Sequence, residues 1–156
     1  MPNTQAVGVA YADPEFQSVN VTGAVTAASA SVSGALSAGS VSSASVTASG
    51  NLFIKSATVA AAGSNQGTAA AVAGGFTLVT GADAAKGVVL PAAAAGLVVI
   101  IKNADAANAV LKVYPASGDA INALAANASY DMAAKTSMLL VAYDATTWYT
   151  VPLLAS

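Results

Sequence analysis

From residue 16 to residue 54 the chain carries no charged side chain, and almost every position is Ala, Ser, Thr, Gly or Val. Apolar residues larger than Ala recur mainly as isolated positions: Val19, Val21, Val25, Val32, Leu36, Val41, Val46 and Leu52. Side chains this small bury little apolar area, at about 25 cal/mol per Å², whereas ordering the backbone costs about 1–2 kcal/mol per residue. Such a segment does not fold alone. It is either a flexible Ser/Ala/Gly linker or a stalk that borrows a core from identical neighbouring chains.

An imperfect repeat favours the stalk. Val21-Thr-Gly-Ala-Val25-Thr-Ala matches Val32-Ser-Gly-Ala-Leu36-Ser-Ala, and Val46-Thr-Ala-Ser-Gly-Asn-Leu52 is a looser echo. The offset of eleven residues between Val21 and Val32 is also that of a right-handed coiled coil. That reading needs charged flanks and helix formers stronger than Ser, Thr and Val, and Gly23, Gly34, Gly39 and Gly50 would each cost a helix about 1 kcal/mol. Short extended segments between Gly turns fit better. Three such chains wound together would place Val21, Val25, Val32, Leu36, Val41, Val46 and Leu52 on a common axis. A plain linker has no use for these regularly placed apolar residues.

The sequence divides into residues 1–17, 18–54 and 55–156. The first segment holds Asp13 and Glu15 and is either a frayed terminus or an attachment peptide. Val7, Val9 and Tyr11 alternate as in a strand that adds to another protein's sheet. Tyr11, Asp13, Pro14 and Phe16 then place aromatic anchors on either side of a proline-fixed turn. Residues 1–10 lack the basic and apolar stretches of a secretory signal.

Residues 55–156 read as an all-β domain. Strands are expected at 57–61, 76–80, 87–90, 97–102, 109–114, 128–132, 137–143 and 148–151, separated by Gly, Asn and Asp turns. That spacing predicts an antiparallel sandwich or barrel. The alanine runs at 69–73 and 92–95 have the composition of short helical turns, and 121–127 reads as a loop. The most apolar window, 87–101, is too short to span a bilayer and is broken by Pro91 and Gly96, so it reads as two buried strands joined by an Ala-rich turn. Leu97-Val-Val-Ile-Ile101 and Ser137-Met-Leu-Leu-Val141 are apolar at every or nearly every position. In an antiparallel sheet one face usually meets water, so such strands lie centrally or against a neighbouring subunit.

Charged residues form only 8% of the chain, about a third of the usual share, which fits a protein in an ordered array better than a cytosolic enzyme. All five cations are Lys, and the lack of Arg disfavours nucleic-acid binding. The chain has neither Cys nor His, which removes disulfides, thiolate chemistry and the commonest general base. Asp83, Asp105, Asp119, Asp131 and Asp144 remain, most of them in turns where Asp caps backbone. No Asp-x-Asp-x-Asp loop for calcium and no phosphate-binding Gly loop is present. Neither catalytic residues nor a metal or cofactor site is expected, and the chain reads as no enzyme. Trp148 reads as a core aromatic, with sugar stacking by Trp148 and Tyr149 as the alternative.

Four pieces carry a family likeness. They are Gly87-Val-Val-Leu-Pro-Ala-Ala-Ala-Ala-Gly96, Val98-Val-Ile-Ile-Lys-Asn-Ala-Asp105, Leu111-Lys-Val-Tyr-Pro-Ala-Ser-Gly-Asp-Ala-Ile-Asn-Ala-Leu124 and Ala145-Thr-Thr-Trp-Tyr-Thr-Val151. Together they resemble the C-terminal β-module of tailed-bacteriophage capsid decoration (head fibre) and trimeric fibre-like virion proteins. The resemblance implies a homotrimer on the virion's capsid surface. The major capsid protein would be its partner, gripped by Tyr11, Asp13, Pro14 and Phe16, with no role for nucleic acid or membrane. A tail fibre or adhesin module binding host glycan is the alternative.

Overall fold

The computed structural model describes residues 22–26 and 28–151. The chain divides into two compact units, Met1–Thr47 and Ala48–Ser156. Within the first, every described residue is exposed and none lies in a strand or helix. Among its described residues the side-chain bonding is local: Ser43 Oγ donates to the Ser45 carbonyl at 2.6 Å and accepts the Ser45 amide at 3.3 Å.

The second unit is all-β, with no helix among the described residues. Its ten strands are β1 (Ser56–Ala60), β2 (Ala70–Ala71), β3 (Gly75–Thr80), β4 (Gly87–Val89), β5 (Val98–Asn103), β6 (Leu111–Tyr114), β7 (Ala120–Ile121), β8 (Tyr130–Met132), β9 (Ser137–Ala142) and β10 (Thr147–Val151). One six-stranded sheet runs β1-β3-β5-β9-β10-β7, and a four-stranded sheet runs β2-β4-β6-β8. From β1 to β9 the chain alternates between the two sheets, so successive passes stack as the coils of a solenoid. β1 lies parallel to β3, β3 to β5, β2 to β4 and β4 to β6. β8 and β9 then return antiparallel to β6 and β5, and β10 completes a hairpin with β9 while pairing with β7 in parallel.

All eight expected strands are present. The expected antiparallel pairing is corrected: the first three coils are parallel. A strand that must cross to the other sheet before returning cannot form a tight hairpin with its predecessor. The apolar window at 87–101 holds two strands joined through its Ala-rich stretch, as expected. β4 and β5 lie in different sheets, and residues 91–96 carry the chain between them. The alanine run at 69–73 is not helical. Ala70 and Ala71 pair with Val88 and Val89. β7 occupies the start of the stretch expected to be loop, where Ile121 stands beside Trp148.

Between the sheets lies one core. In the larger sheet the inward rows run Thr77–Ile101–Met138 and Val99–Leu140–Thr150, with Trp148 beside Ala142 and Ile121. The smaller sheet contributes Val88, Leu111, Val113 and Met132. Buried polar groups tie the crossings. Asn103, wholly buried at the end of β5, donates its Nδ2 to the carbonyls of Ala109, Met132 and Ala133, and its Oδ1 accepts the amide of Asp105. Gly75 opens β3 at φ +68°, where a Cβ would strike the Lys55 carbonyl that accepts the Phe76 amide.

Candidate interaction surface

Strand residues alternate in direction, so the core rows of the larger sheet have outward counterparts. One outward row is Ser56–Phe76–Ile100–Leu139–Val151, in register across five strands. A second is Val98–Val141–Tyr149. Phe76, Leu78, Ile100, Leu139 and Val141 are half-buried because they shield one another, whereas Val98, Tyr149 and Val151 are 45%, 41% and 54% exposed. Tyr143, beyond the end of β9, meets Tyr149 edge to face with ring centroids 6.0 Å apart. Toward β1 the face dips into a groove of about 360 Å³ lined by Ser56, Ala57, Thr58, Phe76 and Leu78.

The larger sheet's described strands carry one charge outward. That is Lys102, whose ammonium is bonded to the Lys135 carbonyl at the rim. The smaller sheet is different. Its outward row pairs Lys112 with Asp131 at 2.7 Å, and the Tyr114 hydroxyl donates to the Ser64 carbonyl. One body thus presents a face that carries an ion pair and a more apolar face whose one charge lies at the rim.

The β3 register sharpens the contrast. In Phe76-Thr-Leu-Val-Thr80 a strand facing water on one side would turn Phe76 and Leu78 inward. Instead Thr77 is wholly buried, its Oγ1 has no hydrogen-bond partner, and Phe76 and Leu78 lie outside. A one-residue slip would exchange the two sets. An unpartnered buried hydroxyl costs about 1–3 kcal/mol, so this register is poorly suited to a surface that stays wet.

Of the residues expected to form the trimer axis, Val25, Val32, Leu36, Val41, Val46 and Leu52 are 56–78% exposed in the single chain. Val21 and the expected attachment residues Tyr11, Asp13, Pro14 and Phe16 lie outside the described residues. Trp148 is fully buried and stacks on nothing at the surface; Tyr149 is the exposed member of that pair.

Of Asp83, Asp105, Asp119, Asp131 and Asp144, four serve the backbone. Asp83 accepts the amides of Ala85 and Lys86, and Asp144 accepts that of Thr146. The bonded Lys86 ammonium, 2.9 Å away, is the main cause holding the Asp83 carboxyl below its ordinary value; for Asp144 it is the Thr146 amide. Asp105 accepts the Ala109 amide, and Asp131 is the partner of Lys112. Asp119 reaches outside its own turn to the amide of Ala93. Among the described residues no three acidic side chains converge as a metal site would require, and no helix is long and apolar enough to cross a membrane.

Two stretches of the outer face, Leu97–Ile101 and Ser137–Val141, are legible in the sequence as runs without alternation. Phe76 and Leu78 are not, because the threonines around them imitate an ordinary half-wet strand. Comparison with known proteins finds no matching family model, curated protein or solved structure.

Proposed function

We propose that this chain is a structural protein of a tailed-bacteriophage virion, a capsid decoration, cement or head-fibre protein that acts as a homotrimer. Residues 1–17 grip the major capsid protein, residues 18–54 wind with those of two sister chains, and the β-domain stands on the capsid surface. The observation that carries this reading is the set of sparse Val and Leu side chains from Val25 to Leu52. They are spaced through a charge-free segment and have no cover in the single chain. Only partner chains supply a core to residues so small and so sparse. A trimer touching several capsid subunits at once gains avidity from contacts that are individually modest.

A second reading, a fibre or adhesin module for host glycan, is favoured by the exposed Tyr143–Tyr149 pair. Mass measurement under native conditions tests the first reading: the expected species is three times the 14.9 kDa chain, and a monomer overturns it. Co-sedimentation with undecorated shells of the encoding phage tests the site. Removing residues 1–17 is expected to abolish binding and leave the trimer intact. Saturable binding on a glycan array together with none to shells would favour the second reading.

A further inference from the structure

The geometry points to the outer face of the six-stranded sheet as a subunit contact, covered in the assembly by the same face of sister chains. This inference rests on the homotrimer reading and adds a second interface to it. Five strands about 4.8 Å apart, each roughly five residues long at about 3.3 Å per residue, make a face of about 400 Å², polar at Ser56, Thr58, Lys102 and Ser137 and apolar between them. Apolar patches of about 300–600 Å² are the largest that monomers carry and are often functional. A free-standing pair needs about 800 Å² per partner. The face is therefore too small to recruit a partner from dilute solution. It is large enough to clamp a copy already held nearby by another part of the same chain, where the effective concentration is high.

The chemistry fits an identical partner. Phe76, Ile100 and Leu139 form a neutral row, so the same face of three sister chains meets about the trimer axis without like-charge repulsion. Lys102, the one outward cation, is drawn to the rim by the Lys135 carbonyl. The β3 register supplies an independent argument. Leaving the Thr77 hydroxyl unpartnered inside and Phe76 outside is favourable overall when Phe76 also becomes buried.

The native chain has no cysteine, so single replacements report one place each. Val98→Cys, at one end of the face on β5, is compared with Ser117→Cys on an exposed turn, both in the full-length protein, by maleimide labelling. The expected result is labelling of Val98→Cys at least about ten-fold slower in the trimer, with both sites equally fast once the trimer is dissociated. A second variant, Leu139→Lys, is expected to raise the concentration at which the trimer dissociates about ten-fold or more, while Ser117→Lys leaves it unchanged. A monomeric wild type overturns the trimer reading and this inference with it. A trimer in which Val98→Cys labels as fast as Ser117→Cys, and which tolerates Leu139→Lys, overturns the face contact alone. Protection of Val98→Cys that arises only on capsid shells also overturns it and assigns the face to capsid protein.

Discussion

The carboxylate of Asp119 accepts the backbone amide of Ala93 at 2.9 Å, joining the crossing between β4 and β5 to the turn that follows β6. The bond is buried, and the Asp119 carbonyl also accepts the Asn127 amide. Asp119→Ala removes a charged acceptor and strands a buried N–H. It is expected to cost about 1.5–3 kcal/mol in chemical denaturation, while Asp119→Asn, which keeps an acceptor oxygen, is expected to cost less.

Asn103 makes a larger demand. Its amide serves three carbonyls and one N–H at the end of β5, on segments far apart in the chain. Asn103→Leu fills the space without meeting those groups, so a loss of about 3 kcal/mol or more is expected, read as a lower denaturation midpoint.

Thr77→Val is expected to act in the opposite direction. Valine keeps the shape and the β-branch and removes a buried hydroxyl that has no partner. Stability should rise by about 1 kcal/mol, measured by thermal unfolding. An unchanged or lower Tm would mean that the hydroxyl is satisfied in solution.

Two turns respond to acid. The carboxyls of Asp83 and Asp144 are held below the ordinary aspartate value, Asp83 chiefly by the Lys86 ammonium and Asp144 chiefly by the Thr146 amide. A folded pKa below the unfolded one favours the fold above the ordinary aspartate range, and that contribution disappears as pH falls through the folded value. Asp83 is exposed and Asp144 lies in a surface turn, so the effect is local rather than global. Carboxyl-carbon NMR titration is expected to give midpoints below the ordinary aspartate value for both, and the Ala85 and Thr146 amides should exchange faster once these groups are protonated.

Much of the β-domain is legible in the sequence because strands announce themselves locally, through β-branched runs bounded by Gly, Asn and Asp. Topology is not legible in this way. Nothing in Gly87-Val-Val-Leu-Pro declares that the strand after the proline belongs to a different sheet, because the partners of β4 lie in β2 and β6. β2 escapes notice because two alanines carry no pattern, and β7 because its pairing with Thr147 and Trp148 is remote in sequence. The outer face is half legible. The uninterrupted runs in β5 and β9 mark it, while Phe76 and Leu78 follow from a register that only the neighbouring strands impose.

The alternation of the chain between sheets also bears on how the domain is made. Of the strands described, only β9 and β10 are both consecutive and hydrogen-bonded to each other. Every other pairing waits for a distant segment, and non-local pairing slows folding. During synthesis β5 emerges long before β9, so Val99 and Ile101 lack the Leu140 and Met138 that complete their rows. Unfinished chains are thus the aggregation-exposed species, and the yield of native protein depends on how quickly the final hairpin arrives.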